Sequence, residues 1–319
     1  MNQRTESAEG TGRLPAEKKK CVVVIPTMNE AHTLEDVLDR ISSALHDEPY
    51  EWSTLVVDGR SEDGTFEIAK RKASMAIYQK KKGYGDALRT GFLYARRVLN
   101  ADLLVMIDGD GTYDPKDIPK LLKPILDDES DMVVGDRLQA MDEGAMTFTN
   151  KAGNKFLSWI VRVSLDSDVR DSQCGLRAFR ADLVESMDLS TEGMPFATEL
   201  LVEAQFAGAR ISEVPVSYGV RKGRTKLSPM RDGFKIFGTV IRLVRDTRPL
   251  AFFGFLGLIM GLIGLFFGLG VIVEYIKTGT VSRVPTAILA ALMLLASFQF
   301  ITLGLVADMI RRLRKRSYL

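Results

Sequence analysis

The sequence predicts an α/β fold, a mostly parallel sheet covered by helices, followed by a hairpin of two transmembrane helices. Short β-branched runs alternate with helical stretches from Cys21 to Asp136, the pattern of a parallel sheet with crossover helices. Two uncharged runs, 252–273 and 284–307, are each long enough to cross ~30 Å of hydrocarbon as a helix. The charge is divided accordingly: 26% of residues are charged, and nearly all of them outside the C-terminal flank precede Pro249.

Residues 1–20 are polar and contain no apolar core of a signal peptide. They read as a disordered leader ending in Lys18-Lys19-Lys20. A soluble domain spans 21–230. Its first strand is "CVVVIP" from Cys21 to Pro26, and a helix follows from Ala31 to about Leu45. Next come the strand "TLVVDG", the helix "TFEIAKRKA" and the run "MAIYQ". The helix "DALRTGFLYARRVL" precedes the buried strand "DLLVMID"; "PKDIPKLLKPILDD" is helical and "DMVVGD" is a strand. In such sheets ligands bind outside the carboxyl ends of the strands. Pro26, Thr27, Asn29, Glu30, Asp58, Asp108 and Asp110 all fall there.

Residues 231–248 form an amphipathic segment. Phe234, Phe237, Ile241 and Val244 share one arc, with Lys235 and Arg242 opposite. This is the pattern of a helix in the membrane interface; a helix packed on the polar domain would look similar, and adjacency to the first span favours the interface. Residues 249–319 hold the hairpin, with a polar link from Glu274 to Arg283. Both outer flanks are basic: Arg242, Arg245 and Arg248 on one side, Arg311, Arg312, Arg314, Lys315 and Arg316 on the other. The excess of Lys and Arg places the polar domain and both termini in the cytoplasm. Gly254, Gly257, Gly261, Gly264 and Gly268 suit close helix packing, either within the hairpin or between copies as a homo-oligomer.

Composition excludes several classes. A net charge of +2 does not suit nucleic-acid binding. Two cysteines make no disulfide framework, and two histidines make neither a zinc site nor a histidine-based catalytic machine. Neither G-x-G-x-x-G opening a first helix nor G-x-x-x-x-G-K-[ST] occurs, which argues against dinucleotide and P-loop folds.

"IDGDGTYDP" carries the sharpest chemistry. Asp108 and Asp110 end an oily run, and two like charges there need a cation or a proton to offset them. Hard oxygen ligands suit Mg²⁺ or Mn²⁺, which bind through one or two carboxylates plus substrate phosphates. Gly109 reads as room for a bulky substrate. Asp114 in "DPKD" reads as a helix cap followed by proline, and Asp63 reads as a cap for the next helix. Cys174 has no accompanying histidine and reads as a small buried residue.

"VVVIPTMNE", "VVDGRSEDGT", "GYGDALRTGF", "IDGDGTYDP" and "DSQCGLRAFRAD", in this order, resemble the family-2 glycosyltransferases of the GT-A fold. The resemblance runs from about Val22 to Leu227 and is closest to membrane-anchored polyprenyl-phosphate synthases, such as dolichol-phosphate glucose and mannose synthases. It implies that Pro26, Thr27, Asn29, Glu30 and Asp58 bind a nucleotide-diphosphate sugar. Asp108 and Asp110 match the D-x-D that holds Mg²⁺ or Mn²⁺. Arg137, Arg221 and Lys226 match cations that meet phosphates; Gln173, Glu199 and Lys151 fall on the sugar and acceptor side. For Glu199 an ordinary helix acid is the other reading. The implied reaction is inverting transfer of a hexose to dolichyl or polyprenyl phosphate. UDP-glucose or UDP-N-acetylglucosamine is favoured over GDP-mannose by the Gln-Cys-Gly of "DSQCGL". The sequence departs from the family at Gly59, where a second acid is usual, at Thr112, where some relatives carry a glutamine ligand, and near Met146 and Thr147, where the mannose synthases carry an arginine. Two alternatives stand beside this reading. One is a processive polysaccharide synthase, although no Q-x-x-R-W motif occurs. The other is a non-catalytic membrane scaffold with a degenerate transferase fold.

Overall fold

The computed structural model describes residues 18–139, 148–165, 169–190, 196–220, 238, 241–242, 244–245 and 248–316. Among these residues seven strands form one sheet, β1 (Lys20–Thr27), β2 (Glu51–Asp58), β3 (Met75–Tyr78), β4 (Leu103–Met106), β5 (Met132–Asp136), β6 (Arg177–Arg180) and β7 (Ile211–Pro215). Their order is β3-β2-β1-β4-β6-β5-β7. Only β6 runs antiparallel to its neighbours; all other pairs are parallel.

The first four helices stand where the sequence places them. α1 (Ala31–Leu45) buries Leu34, Val37, Leu38, Ile41 and Leu45, an i, i+3, i+4, i+7 stripe. α2 (Thr65–Lys72) is short and α3 (Tyr84–Arg97) crosses back over the sheet. The predicted helix from Pro115 divides into a 3₁₀ turn, Pro115–Asp117, and α4 (Ile118–Leu126). Its Asp114 is the cap expected, accepting the Lys116 N–H at 3.1 Å. Then come α5 (Phe148–Leu165), α6 (Leu183–Ser186) and α7 (Phe196–Phe206).

Connectivity sets the location of the site. The chain moves outward from β1 to β2 to β3, then returns to lay β4 on the other side of β1. That reversal opens a crevice at the carboxyl ends of β1 and β4, where open α/β sheets bind ligands. Register keeps the ends level: Thr27 pairs with Asp58, and Asp58 with Tyr78. Gly91 on α3 lets that helix lie directly on the sheet, because a Cβ there would overlap Val24 and come within 2.9 Å of Val57.

Two helices end the chain, α8 (Pro249–Thr278) and α9 (Val284–Arg316). Both are long and apolar enough to cross a membrane. At thirty residues α8 is ~45 Å long, so both elements run past the uncharged stretches into their polar flanks. Large side chains such as Phe266 and Ile276, each 75% exposed, find no protein cover. The helices pack on each other through the glycines. A Cβ at Gly257 or Gly261 would stand 2.9 Å from Ser297 atoms, and one at Gly264 would stand 3.1 Å from the Ala290 carbonyl. The hairpin's own second helix therefore accounts for these three glycines; Gly254 meets nothing within 4 Å.

Gly91→Ala is expected to destabilise the domain by about 1–3 kcal/mol through overpacking. Thermal unfolding of the detergent-solubilised chain checks this; an unchanged midpoint would show that α3 has room to lift.

Candidate donor and metal site

Four loops meet at the crevice. After β1 the chain turns at Asn29, whose φ is +54°, a left-handed conformation that asparagine tolerates well. The Asn29 N–H donates to Ser61 Oγ at 2.8 Å, and its Oδ1 accepts the Glu62 N–H at 2.9 Å. The Glu30 N–H donates to Thr65 Oγ1. Asp63 does more than cap one helix: Oδ1 accepts from the Thr65 N–H and hydroxyl, and Oδ2 accepts from the Ala31 N–H at the start of α1. The β1–α1 and β2–α2 loops are thus joined by hydrogen bonds.

Asp58 organises this junction. It is fully buried; Oδ1 accepts from the Ser61 hydroxyl at 2.6 Å and the Thr27 hydroxyl at 3.3 Å, and Oδ2 accepts the Ser61 N–H at 2.8 Å. Both oxygens accept from the loop, and Oδ2 keeps a second lone pair for a further donor. Thr27 and Glu30 are also buried, whereas Asn29 is exposed.

Asp108 and Asp110 stand where β4 ends at the crevice. Asp108 Oδ1 accepts the Tyr84 hydroxyl at 2.8 Å. Burial, and then the charge of Asp108, hold the Tyr84 hydroxyl well above its ordinary pKa, so it stays a donor. Asp110 Oδ1 accepts from both the N–H and the hydroxyl of Thr112, at 3.1 and 2.7 Å. Thr112 therefore orients Asp110. Gly175 leaves space for the first acid, since a Cβ there would lie 2.5 Å from Asp108 Oδ2. The Gly175 N–H donates to Tyr113 Oη at 2.6 Å. Gly109 has another role from the one its spacing suggested: its Cβ would lie 2.9 Å from Thr27 Cγ2, and its carbonyl accepts the Thr33 hydroxyl. It lets β4 pack against β1 and makes no opening for a substrate.

Among the described residues no group of three or more His, Cys, Asp or Glu is placed to hold a metal. The two aspartates offer hard oxygen donors at a ligand-binding rim. That donor set fits Mg²⁺ or Mn²⁺ completed by phosphate oxygens and water.

Arg137 and Asp171 form a buried ion pair beside the acids. Nε donates to Oδ2 at 2.6 Å and Nη2 to Oδ1 at 2.8 Å, a bidentate fork. Arg137 is 7% exposed and Asp171 fully buried. Asn154 Nδ2 and the Arg137 N–H also donate to Asp171, and the Arg137 guanidinium lies 5.2 Å from the Tyr218 ring centroid. Burial alone would raise the Asp171 carboxyl; the Arg137 and Asn154 bonds outweigh it and hold the pKa below the ordinary value. Two of the guanidinium nitrogens predicted to meet phosphate are thereby committed to Asp171.

The remaining expected residues spread outward. Gln173 Nε2 donates to Thr198 Oγ1 at 2.6 Å. Glu199 accepts the Ser190 N–H and hydroxyl, and Glu203, one turn later, accepts the Asp188 N–H. These two acids of α7 hold the 188–190 segment. Lys151 is half-buried on α5. Arg221 and Lys226 lie outside the described residues, as does most of the predicted interfacial helix. Cys174 is fully buried and its thiol is pushed up to about 12 by burial, which leaves no thiolate for nucleophilic attack. Sequence reasoning missed Tyr84, Tyr113 and Asn154. Tyr84 had a signal, a hydroxyl inside the motif "GYGDALRTGF".

Asp171→Asn is expected to cost about 3–5 kcal/mol at neutral pH, because Arg137 stays buried without its partner. The lowered Asp171 pKa gives stability that is present above the unfolded carboxyl value of about 4 and lost as pH falls through the folded value. The gap between wild type and variant in denaturant unfolding should therefore narrow below about pH 4; a constant gap would contradict the ion pair's role.

Comparison with known proteins agrees with this geometry. Residues 22–187 match the family model described as Glycosyl transferase family 2. The chain is 33% identical to Glycosyltransferase AglJ of Haloferax volcanii over 95% of its own length and 97% of that protein. It is 32% identical to a dolichyl-phosphate hexose transferase of the same organism, over 71% of this chain and 94% of the other. The fold is shared with glucosyl-3-phosphoglycerate synthase of Mycobacterium tuberculosis, solved with Mn²⁺, UDP-glucose and phosphoglyceric acid; the TM-score is 0.55 at 23% identity, covering 72% of this chain and 79% of the other, as in another complex with Mn²⁺ and UDP-glucose alone. With its acid pair at the switch point of a GT-A sheet, the chain belongs to glycosyl transferase family 2.

Proposed function

We propose that this glycosyltransferase moves a hexose from a nucleoside-diphosphate sugar to dolichyl or polyprenyl phosphate, with inversion at the anomeric carbon. The observation that carries the reading is the fixed pair Asp108 and Asp110 at the carboxyl end of β4, each held by a hydroxyl donor. Similarity to a dolichyl-phosphate hexose transferase supports the acceptor class. The Mn²⁺ and UDP-glucose bound by the fold relative support a divalent ion and a UDP donor.

Asp108 and Asp110 would hold Mg²⁺ or Mn²⁺, which supplies charge neutralisation for the departing nucleoside diphosphate. Tyr84 and Thr112 fix the two carboxylates before the donor arrives, so little reorganisation is needed. The Arg137 fork, rigid against Asp171 and Tyr218, leaves Nη1 to meet phosphate. A phosphate monoester acceptor has a second pKa of about 6 and is already largely anionic at neutral pH. It needs no general base. Alignment and exclusion of water are the protein's main tasks. Arg221, Lys226 and Lys151 are proposed as the cations on the acceptor side. The α8–α9 hairpin anchors the chain, with the catalytic domain and both termini in the cytoplasm.

Membranes containing the full chain, given labelled UDP-glucose, UDP-N-acetylglucosamine or GDP-mannose with polyprenyl phosphate, should yield an organic-extractable sugar lipid that EDTA abolishes. Absence of such a product with every donor contradicts the proposal. Tyr84→Phe should raise the Mn²⁺ concentration for half-maximal rate by about 10- to 100-fold, with the rate largely restored at saturating Mn²⁺. An unchanged Mn²⁺ dependence would remove Tyr84 from the site's support.

A further inference from the structure

Away from the acid pair, α5 builds a second concavity. Asn154, Ser158 and Val161 face inward and are buried, one helical stripe. Lys155, Phe156, Trp159 and Arg162 occupy the opposite side and are exposed. Between this side and the segment at Val169 and Arg170 lies a cavity of about 300 Å³, lined by Leu138, Lys155, Ser158, Trp159, Arg162 and Arg170 among others. Its floor is tied down by the Ser158 hydroxyl, 3.1 Å from Ser172 Oγ. Leu138 and Arg170 follow and precede the Arg137–Asp171 pair by one residue each, so the cavity is separate from the acid pair yet structurally joined to the clasp beside it.

Three cations line this cavity and no carboxylate does. Among the described residues none of these three side chains has an ion-pair or hydrogen-bond partner; Arg170 engages Glu213 only through its backbone N–H. Several other surface cations of the domain are paired, as Lys72 with Asp39, Arg180 with Asp131 and Arg210 with Asp128, although among the described residues Arg97 and Lys116, which stand singly, are not. Beside the unpaired trio stand two aromatic rings, Phe156 at 57% and Trp159 at 52% exposure, with centroids 6.2 Å apart.

We propose that this cavity binds the phosphate headgroup of an anionic bilayer phospholipid. Guanidinium forks and an ammonium meet the phosphate, while the Trp159 indole and the Phe156 ring take up the apolar–polar boundary below it. Free phosphate offers the same anionic chemistry, but it would leave both rings in water; a lipid covers them. Basic and aromatic residues on one helix face are the general pattern of attachment to an anionic membrane surface. The proposal rests on the hairpin being a membrane anchor, and is independent of which sugar or acceptor the catalytic site uses.

The chain has two tryptophans, so Trp52→Phe leaves Trp159 as the sole tryptophan emitter. The full-length variant is placed in nanodiscs of phosphatidylcholine doped with phosphatidylglycerol, either lipid carrying brominated acyl chains. Trp159 should be quenched severalfold more strongly by the brominated anionic lipid than by the brominated neutral one, saturating as its fraction rises. The combined changes Lys155→Glu, Arg162→Glu and Arg170→Glu should erase that preference while cooperative thermal unfolding is retained. Should the triple variant fail to fold, Arg162→Gln alone should weaken it. Equal quenching by both lipids, or none, overturns the proposal. So does a Trp159 response to soluble glycerol phosphate without lipid quenching, or displacement of the brominated lipid by trace polyprenyl phosphate, which would give the cavity to the acceptor.

Discussion

Two carboxylates one residue apart at the end of a buried strand impose the terms that their surroundings meet. Asp108 and Asp110 repel each other in a partly desolvated place. The fold answers with donors: a tyrosine hydroxyl on one acid, a threonine hydroxyl and backbone N–H on the other. Glycine at 109 brings β4 against Thr27, and glycine at 175 leaves Asp108 unobstructed. These features orient the pair at the rim where a dication would be held.

The strand order places that pair where a donor can reach it. Because β4 lies beside β1 and not beside β3, the β1–α1 loop, the β2–α2 loop and the acids meet at one rim. Asp58 and Asp63 join the first two loops by hydrogen bonds, so the two loops brace each other. On the other flank the Arg137–Asp171 pair does the same for the β5 end and the "DSQCG" segment. Such a buried pair adds little net stability over an apolar replacement, but it fixes geometry once both partners are present. A transferase that relies on alignment more than on a general base gains most from this kind of rigidity.

Much of this was legible in the residues. The β-branched runs mark β1, β2, β4 and β5; "DPKD" marks a helix start; a cysteine without a histidine marks a buried thiol; uncharged runs mark α8 and α9. What escaped had physical reasons. β6 is four residues, "RAFR", with arginines at both ends, so no apolar run announces it. Its Arg177 is nonetheless fully buried, because the carbonyls of Ser172, Cys174 and Ala197 take its donors. β7 is a half-buried edge strand that contains glutamate and ends in proline. The inward turn of Asp58 and the pairing of Arg137 with Asp171 depend on partners 3 and 34 residues away, and the second of these is beyond any local pattern. Gly109 looked like room for a ligand because its contact with Thr27 exists only once β1 and β4 are adjacent.

The central physical claim is that Asp108 and Asp110 together hold a divalent ion on which donor nucleotide binding depends. Electron paramagnetic resonance of Mn²⁺ titrated with the full-length chain and UDP tests it most directly, because the signal of free aqueous Mn²⁺ falls as the ion is bound. The free-ion signal should fall with wild type, more steeply when UDP is present, and should be restored when both acids are replaced by asparagine or by alanine. If the double variant depletes free Mn²⁺ and binds UDP as wild type does, the ion lies elsewhere and the proposed chemistry of this rim is wrong.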